Sequence, residues 1–137
     1  MAVKPTFADT SFFFALAATR DAAHKSAVTA FGRLLRDKRG LVTTDYVLDE
    51  TLTLTKMRAG SRVALALLDR IEQSSAVVVE SVDSQRFDAA IQLFRKHSDH
   101  GYSFTDCTSF AVMNELKLVA ALTTDRHFSE AGFQKLL

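Results

Sequence analysis

The chain has few of the residues that divide a protein, cross-link it or interrupt its folding. Its 137 residues include one proline, five scattered glycines, one cysteine and no tryptophan. Without a linker, a low-complexity tract or an internal repeat, residues 1–137 are expected to form a single domain. The lone Cys107 cannot form an internal disulfide, so we expect a small buried hydrophobe, not a nucleophile, in a cytoplasmic protein.

Long hydrophobic runs and an excess of one charge are also missing. The apolar run of residues 12–18 follows the polar Asp9-Thr10-Ser11 and is too short for a secretory signal, and no segment approaches the roughly 18 apolar residues that span a membrane. Seventeen basic and sixteen acidic residues exclude the strong overall basicity of many nucleic-acid-binding proteins. A polyanion would therefore need local cations, and two clusters offer them: Arg33, Arg36, Lys38 and Arg39, and Lys56, Arg58 and Arg62.

Short apolar runs alternate with amphipathic stretches along the chain. This alternation predicts an α/β fold with a parallel sheet covered by helices on both faces. We expect strands at 3–8, 41–43, 76–79, 119–123 and 133–136, and helices ending near Gly40 and Gly60. The helical patterns predict N-caps at Ser61, Asp83 and Ser103 and buried positions that include Val28, Leu35, Phe87 and Phe94.

Three acids are predicted to lie at one edge of this sheet. The carboxyl ends of parallel strands share an edge, where ligands bind. Asp9 follows the first strand, Asp125 follows the fourth, and Asp106 lies in the first turn of the helix that precedes the fourth. Oxygen ligands without an accompanying histidine or cysteine pattern indicate Mg²⁺ or Mn²⁺ rather than zinc.

Glu50 is the fourth candidate, on the helix after the second strand. Its helical neighbours predict a half-buried face, where a carboxylate needs a partner, whereas Asp49 suits a solvated face. Each edge acid also has a purely structural alternative. Asp9 would cap the next helix, Asp106 would complete a capping box with Ser103, and Asp125 would be a turn residue.

The segments around these acids resemble the PIN-domain family, and most closely the VapC-type toxins of toxin-antitoxin pairs. The resemblance covers nearly the whole chain in family order and spacing. Four segments carry it, FADTSFF at 7–13, TTDYVLDET at 43–51, SFTDCTSF at 103–110 and LTTDRHF at 122–128, and Gly132-Phe133 fits a closing strand.

The resemblance implies a three-layer α/β/α sandwich with a central parallel sheet and a Mg²⁺ or Mn²⁺ endoribonuclease. It also implies a homodimer and often a cognate antitoxin that blocks the site. Asp9 and Asp106 are the expected direct ligands, with Asp125 completing the site and Glu50 orienting water or holding a second ion. Some relatives carry a further acid after the fourth motif, whereas Arg126 and His127 follow here.

Nearby hydroxyls and histidines are weaker candidates. Thr10, Ser11 and Thr105 would orient the ligands, with helix capping as the alternative. His97 and His100 flank Asp99 and precede Gly101, which favours an exposed loop over a metal site. The eleven phenylalanines are expected in the core rather than as a base-stacking platform.

Other classes remain open. A phosphatase with an aspartyl nucleophile would carry a second acid two residues after Asp9, where Ser11 stands. A PIN-like module could bind RNA or protein without cutting, and an RNA-processing nuclease would have no antitoxin.

Overall fold

The computed structural model describes residues 3–137 as a parallel sheet between layers of helices. The strands are β1 (Thr6–Ala8), β2 (Leu41–Thr44), β3 (Val77–Glu80), β4 (Ala120–Leu122) and β5 (Gln134–Lys135), in the order β3-β2-β1-β4-β5. The helices are α1 (Thr10–Ala17), α2 (His24–Arg36), α3 (Asp45–Ala59), α4 (Ser61–Gln73), α5 (Ser84–Lys96), α6 (Phe104–Leu116) and α7 (Arg126–Glu130). The predicted three-layer α/β/α sandwich is confirmed, and all five strands overlap their expected positions.

The centre of the sheet is the most deeply buried part of the molecule. β1 pairs in parallel with β2 on one side and with β4 on the other. Helices cover both faces, so consecutive residues of β1 are buried, and Phe7 packs against Phe128 of α7 while Phe12 packs against Phe31 of α2. The same burial confirms Cys107 as a core residue, and desolvation raises the pKa of its thiol to about 11. Among residues 3–137, no helix has the length and hydropathy that a membrane span requires.

Only some of the helix ends lie where the sequence predicts them. Asp83 caps α5, and Ser103 and Asp106 form the expected capping box. α2, however, ends at Arg36, and Lys38 takes the left-handed conformation predicted for Gly40. Gly60, with φ 92°, ends α3 and also precedes α4, so Ser61 is the first helical residue and not the cap.

Several predicted core positions are exposed instead. Val28 and Leu35 of α2 and Phe87 and Phe94 of α5 lie on the outer flanks of their helices, and Phe94 is 47% exposed. Each helix buries a narrower stripe than expected because it packs on the sheet from one side only; in α5 only Ala90 is fully buried.

Candidate active site

Parallel pairing brings the first and fourth strand ends together. The backbone N–H of Asp9 donates to the carbonyl of Leu122, so the residues that follow β1 and β4 are neighbours. Asp9 begins the turn into α1, and Asp125 begins the turn into α7. The capping box of α6 adds Asp106, which lies near enough for its charge to raise the pKa of Asp9.

Asp9 is a buried carboxylate with hydroxyl partners. It is 6% exposed, and its Oδ2 accepts hydrogen bonds from Thr123 Oγ1 at 2.9 Å and Ser11 Oγ at 3.3 Å. It occupies the N-cap position of α1 without making a capping side-chain bond, so the capping alternative is wrong. Desolvation raises its pKa to about 6, and the charges of Asp106 and Glu50 act in the same direction.

Asp106 is also buried, and two neighbours hold it. Its Oδ2 accepts from the backbone N–H of Ser103 at 3.0 Å, while its own N–H donates to Ser103 Oγ. Burial raises the pKa of this carboxyl, as does the charge of Asp125, whereas the contact with His127 lowers it. The capping role is thus real, but it leaves the second carboxylate oxygen available at the sheet edge.

Asp125 lies half-buried at the start of α7. Its Oδ1 accepts from the backbone N–H of His127 at 2.9 Å, which makes it a helix cap rather than a simple turn residue. Its own N–H donates to Thr123 Oγ1 at 2.9 Å. Thr123 therefore joins Asp125 to Asp9 through one hydroxyl group.

Glu50 differs from its predicted environment. The buried face of α3 consists of Val47, Thr51 and Thr55, and Glu50 is exposed, as is Asp49. The half-buried face expected for Glu50 is therefore wrong. The charge of Glu50 nevertheless raises the pKa of Asp9. Glu50 therefore borders, from the solvent side, the sheet edge that carries Asp9, Asp106 and Asp125, which we call the acidic edge.

The three predicted hydroxyl residues have different contacts in the structure, and only one of them lies beside the acids. Ser11 contacts Asp9 and Thr123 and accepts from the N–H of Thr124, so it joins the acidic edge. Thr10 instead accepts from Thr51 Oγ1 between α1 and α3. The contact described for Thr105 is made by its backbone carbonyl, which accepts from Thr108.

Two residues at this edge were missed, Thr123 and His127. The imidazole Nδ1 of His127 lies 3.1 Å from Asp106 Oδ2 and 3.2 Å from Asp125 Oδ1. These side chains offer ligand atoms that all lie within 4.8 Å of one another. The available signals were the position of Thr123 at the end of an inner strand and that of His127 two residues after an acid.

The other predicted features lie elsewhere. The cluster of Arg33, Arg36, Lys38 and Arg39 is exposed and precedes β2, at the edge where the strands begin. Of the second cluster, Arg58 lies over the ring of Phe14. His97 and His100 flank an exposed turn, where His100 stacks on Tyr102.

The acidic edge suits a divalent cation by its donor set. Within residues 3–137, no lysine or arginine forms an ion pair with Asp9, Asp106 or Asp125, and His127 is the only basic side chain within 4.0 Å. Buried carboxylates without a permanent counter-charge either take up a proton or bind a metal ion. The residues present therefore fit an oxygen-rich site for a hard cation.

The sequence matches one protein family and is similar to two named relatives. Residues 6–134 match the PIN domain family. The chain is 41% identical over 128 residues to the 23S rRNA-specific endonuclease VapC20 of Mycobacterium tuberculosis, covering 93% of this chain and 94% of that protein. It is 31% identical over 123 residues to a VapC ribonuclease of Archaeoglobus fulgidus, covering 88% and 77% of the two chains.

Solved structures agree with the fold. The crystal structure of M. tuberculosis VapC20, described as a Sarcin-Ricin loop cleaving toxin, superposes with a TM-score of 0.83 at 39% identity, covering 93% of this chain and 95% of that one. FitAcB from Neisseria gonorrhoeae superposes with a TM-score of 0.67 at 15% identity, over 96% of each chain, which shows a shared fold.

Proposed function

This chain belongs to the PIN-domain family, and from that premise we propose that it is a metal-dependent endoribonuclease, the toxin of a toxin-antitoxin pair. One observation carries the proposal. Asp9 and Asp106 are buried at one sheet edge with raised pKa values, and neither pairs with a lysine or arginine among residues 3–137. A site with unbalanced negative charge is suited to a divalent cation and, through it, to a phosphodiester.

The acids and hydroxyl groups of the site would have different roles. Asp9 and Asp106 would hold Mg²⁺ or Mn²⁺, and Asp125 would complete the site. When bound, the ion would supply an activated water and stabilise the charge that develops on the phosphate. Glu50, exposed beside Asp9, would orient the attacking water, and Ser11 and Thr123 hold the Asp9 carboxylate in position through their hydroxyls.

The relatives indicate which RNA to test. The protein named as a 23S rRNA-specific endonuclease shares 41% of its residues with this chain over nearly the full length of both. We therefore expect a structured stem-loop of 23S rRNA as the substrate, in the cytoplasm, under the control of a cognate antitoxin. The basic cluster before β2 lies at the opposite edge, so we do not expect it to contact RNA bound at the acidic edge.

The decisive experiment uses the purified chain and an RNA oligonucleotide containing the sarcin-ricin loop. We expect cleavage at one position with Mg²⁺ or Mn²⁺, no cleavage with excess chelator, and no cleavage of the same stem with a scrambled loop. Equally efficient cleavage of the RNA with the scrambled loop would contradict the substrate assignment. Undiminished cleavage in excess chelator would remove the metal mechanism.

We also propose a homodimer, because large apolar side chains remain uncovered on the helices. Leu65 of α4 is 60% exposed, and Val28 and Leu35 of α2 are each nearly half exposed. Burying such a surface would favour association. Light scattering is expected to give twice the 15.1 kDa chain mass, and a monomer at micromolar concentration would contradict the proposal.

A further inference from the structure

The imidazole of His127 is held against the acidic edge by the local fold. His127 is the second residue of α7, and its backbone N–H donates to Asp125 Oδ1. Asp125 thus caps the start of α7, and the side chain of His127 lies beside the carboxylates of Asp106 and Asp125. Nδ1 is the ring atom that faces them.

The loop before α6 fixes the orientation of that ring. A Cβ atom on Gly101 would lie only 3.2 Å from Nε2 of His127, so a side chain at position 101 would press on the imidazole. The ring of Tyr102 meets the imidazole edge-on, with the centroids 5.5 Å apart. The ring therefore has room only because position 101 is glycine, and it packs against Tyr102.

The distances at Nδ1 suit a shared cation better than a shared proton. A protonated Nδ1 can make one well-directed hydrogen bond, yet two carboxylate oxygens lie at nearly equal distances of 3.1 and 3.2 Å. Both oxygens already accept backbone N–H bonds. Adjacent ligands of an octahedral ion at about 2.1 Å are themselves about 3.0 Å apart. The nitrogen therefore lies at the spacing of a neighbouring ligand from each oxygen, and all three side chains offer ligand atoms within 4.8 Å of one another.

We propose that Nδ1 of His127 is a direct ligand of the divalent ion that Asp9, Asp106 and Asp125 would hold, and that this nitrogen makes the site select Mn²⁺ over Mg²⁺. The inference rests on the proposed function, since it concerns the ion of that same site. An imidazole nitrogen discriminates against Mg²⁺, which is bound by oxygen, and favours first-row transition ions, among which Mn²⁺ is the most weakly bound.

Pulsed electron paramagnetic resonance of the Mn²⁺-loaded protein tests this without any activity assay. A directly bound imidazole nitrogen modulates the Mn²⁺ spin echo at nitrogen-14 frequencies, and we expect that modulation in the unaltered chain. His127→Asp should bind Mn²⁺ without the modulation. His100→Gln, which alters an exposed histidine on the neighbouring loop, should retain it.

Metal titrations by calorimetry give a second measurement. His127→Asp should reduce the preference for Mn²⁺ over Mg²⁺ by at least about tenfold, the lower end of what losing even an indirect metal contact costs. His100→Gln should leave the preference unchanged.

The possible results separate this inference from the proposed function. Mn²⁺ bound to the unaltered chain without nitrogen modulation would overturn the ligand assignment, while Mn²⁺-dependent RNA cleavage would still support the nuclease. No Mn²⁺ binding at all would overturn both. Nitrogen modulation without RNA cleavage would support His127 as a ligand and contradict the nuclease.

Discussion

The two sides of the acidic edge compensate their negative charge in different ways. On the β1 side, Asp9 is almost fully buried, and the side chains that donate to its carboxylate are the hydroxyls of Thr123 and Ser11. On the α6–α7 side, Asp106 and Asp125 receive backbone N–H bonds and share the imidazole of His127. Burial is the largest influence on the pKa of both Asp9 and Asp106. The hydrogen bonds that oppose it come chiefly from the Thr123 hydroxyl at Asp9, and from the Ser103 backbone N–H and His127 at Asp106.

This difference assigns separate tasks to the two sides. Helix caps and the imidazole fix the α6–α7 side before any cation binds, because their partners belong to the fold itself. The β1 side is left with a carboxyl that holds its proton up to about pH 6 unless a cation takes the proton's place. The metal-free chain is therefore strained mainly at Asp9, and binding should relieve that strain.

The largest expected effect is the loss of RNA cleavage when either side loses a carboxylate. Asp9→Asn and Asp106→Asn should each lower the cleavage rate at least about 1000-fold, the upper end of the loss from removing one transition-state contact. Asp49→Asn, an exposed acid beside Glu50, is the matched control and should cleave normally. If Asp106→Asn instead cleaves normally and melts several degrees lower, Asp106 is only a helix cap.

The pH dependence of stability should isolate the β1 side. A carboxyl whose folded pKa is raised binds its proton more tightly when folded, so it adds stability at low pH that is lost as pH rises through the folded pKa. For Asp9 the loss should extend from its ordinary value of 3.8 to about 6. It should amount to about 3 kcal/mol, since one pKa unit corresponds to about 1.4 kcal/mol.

Urea unfolding at a series of pH values, with a chelator present, measures this loss. Asp9→Asn lacks the titrating group, and the difference between the two chains should therefore grow from pH 4 to pH 6 and then level off. Exposed acids with lowered pKa values, Asp99 and Glu115, are common to both chains and cancel in the comparison. A constant difference across this range would show that Asp9 is not strained.

Metal binding should reverse that loss. At a Mn²⁺ concentration 100 times the dissociation constant, the unaltered chain should gain about 2.7 kcal/mol at pH 7. This gain corresponds to a rise in melting temperature of roughly 10 °C for a domain of this size. Differential scanning calorimetry should show a much smaller rise for Asp9→Asn, and an equal rise in both would place the cation away from the β1 side.

Much of this edge could be predicted because it depends on simple geometry. Apolar runs located the strands, and parallel pairing then brought Asp9 and Asp125 to one edge. Ser103 and Asp106 stand three residues apart, a spacing that predicts a capping box without any tertiary information. These features follow from distances along the chain.

The remaining features depend on how elements pack against one another. The residues three and four positions from Glu50 are mostly apolar, but α3 turns Val47, Thr51 and Thr55 inward and leaves Glu50 in solvent. His127 reaches Asp106 only because α7 starts immediately after Asp125 and Gly101 leaves room for the ring. Helix orientation and contacts between distant loops of this kind have no signature in residue spacing.

The smallest predicted effect concerns Thr123, the residue that connects the two sides. Its hydroxyl donates to Asp9 Oδ2 and accepts from the N–H of Asp125, so Thr123→Val removes one contact on each side while keeping the shape of the side chain. We expect a loss of about 2 kcal/mol in unfolding free energy, about 1 kcal/mol for each of the two hydrogen bonds removed. Because the Thr123 hydrogen bond lowers the pKa of Asp9, its removal should also move the pH-dependent loss of stability to higher pH. Thr123→Ser retains the hydroxyl and should keep the pH profile of the unaltered chain, whatever stability it loses with the methyl group. If Thr123→Val and Thr123→Ser show the same pH profile, the hydroxyl does not couple the two sides, and Asp9 and Asp125 respond to the cation independently.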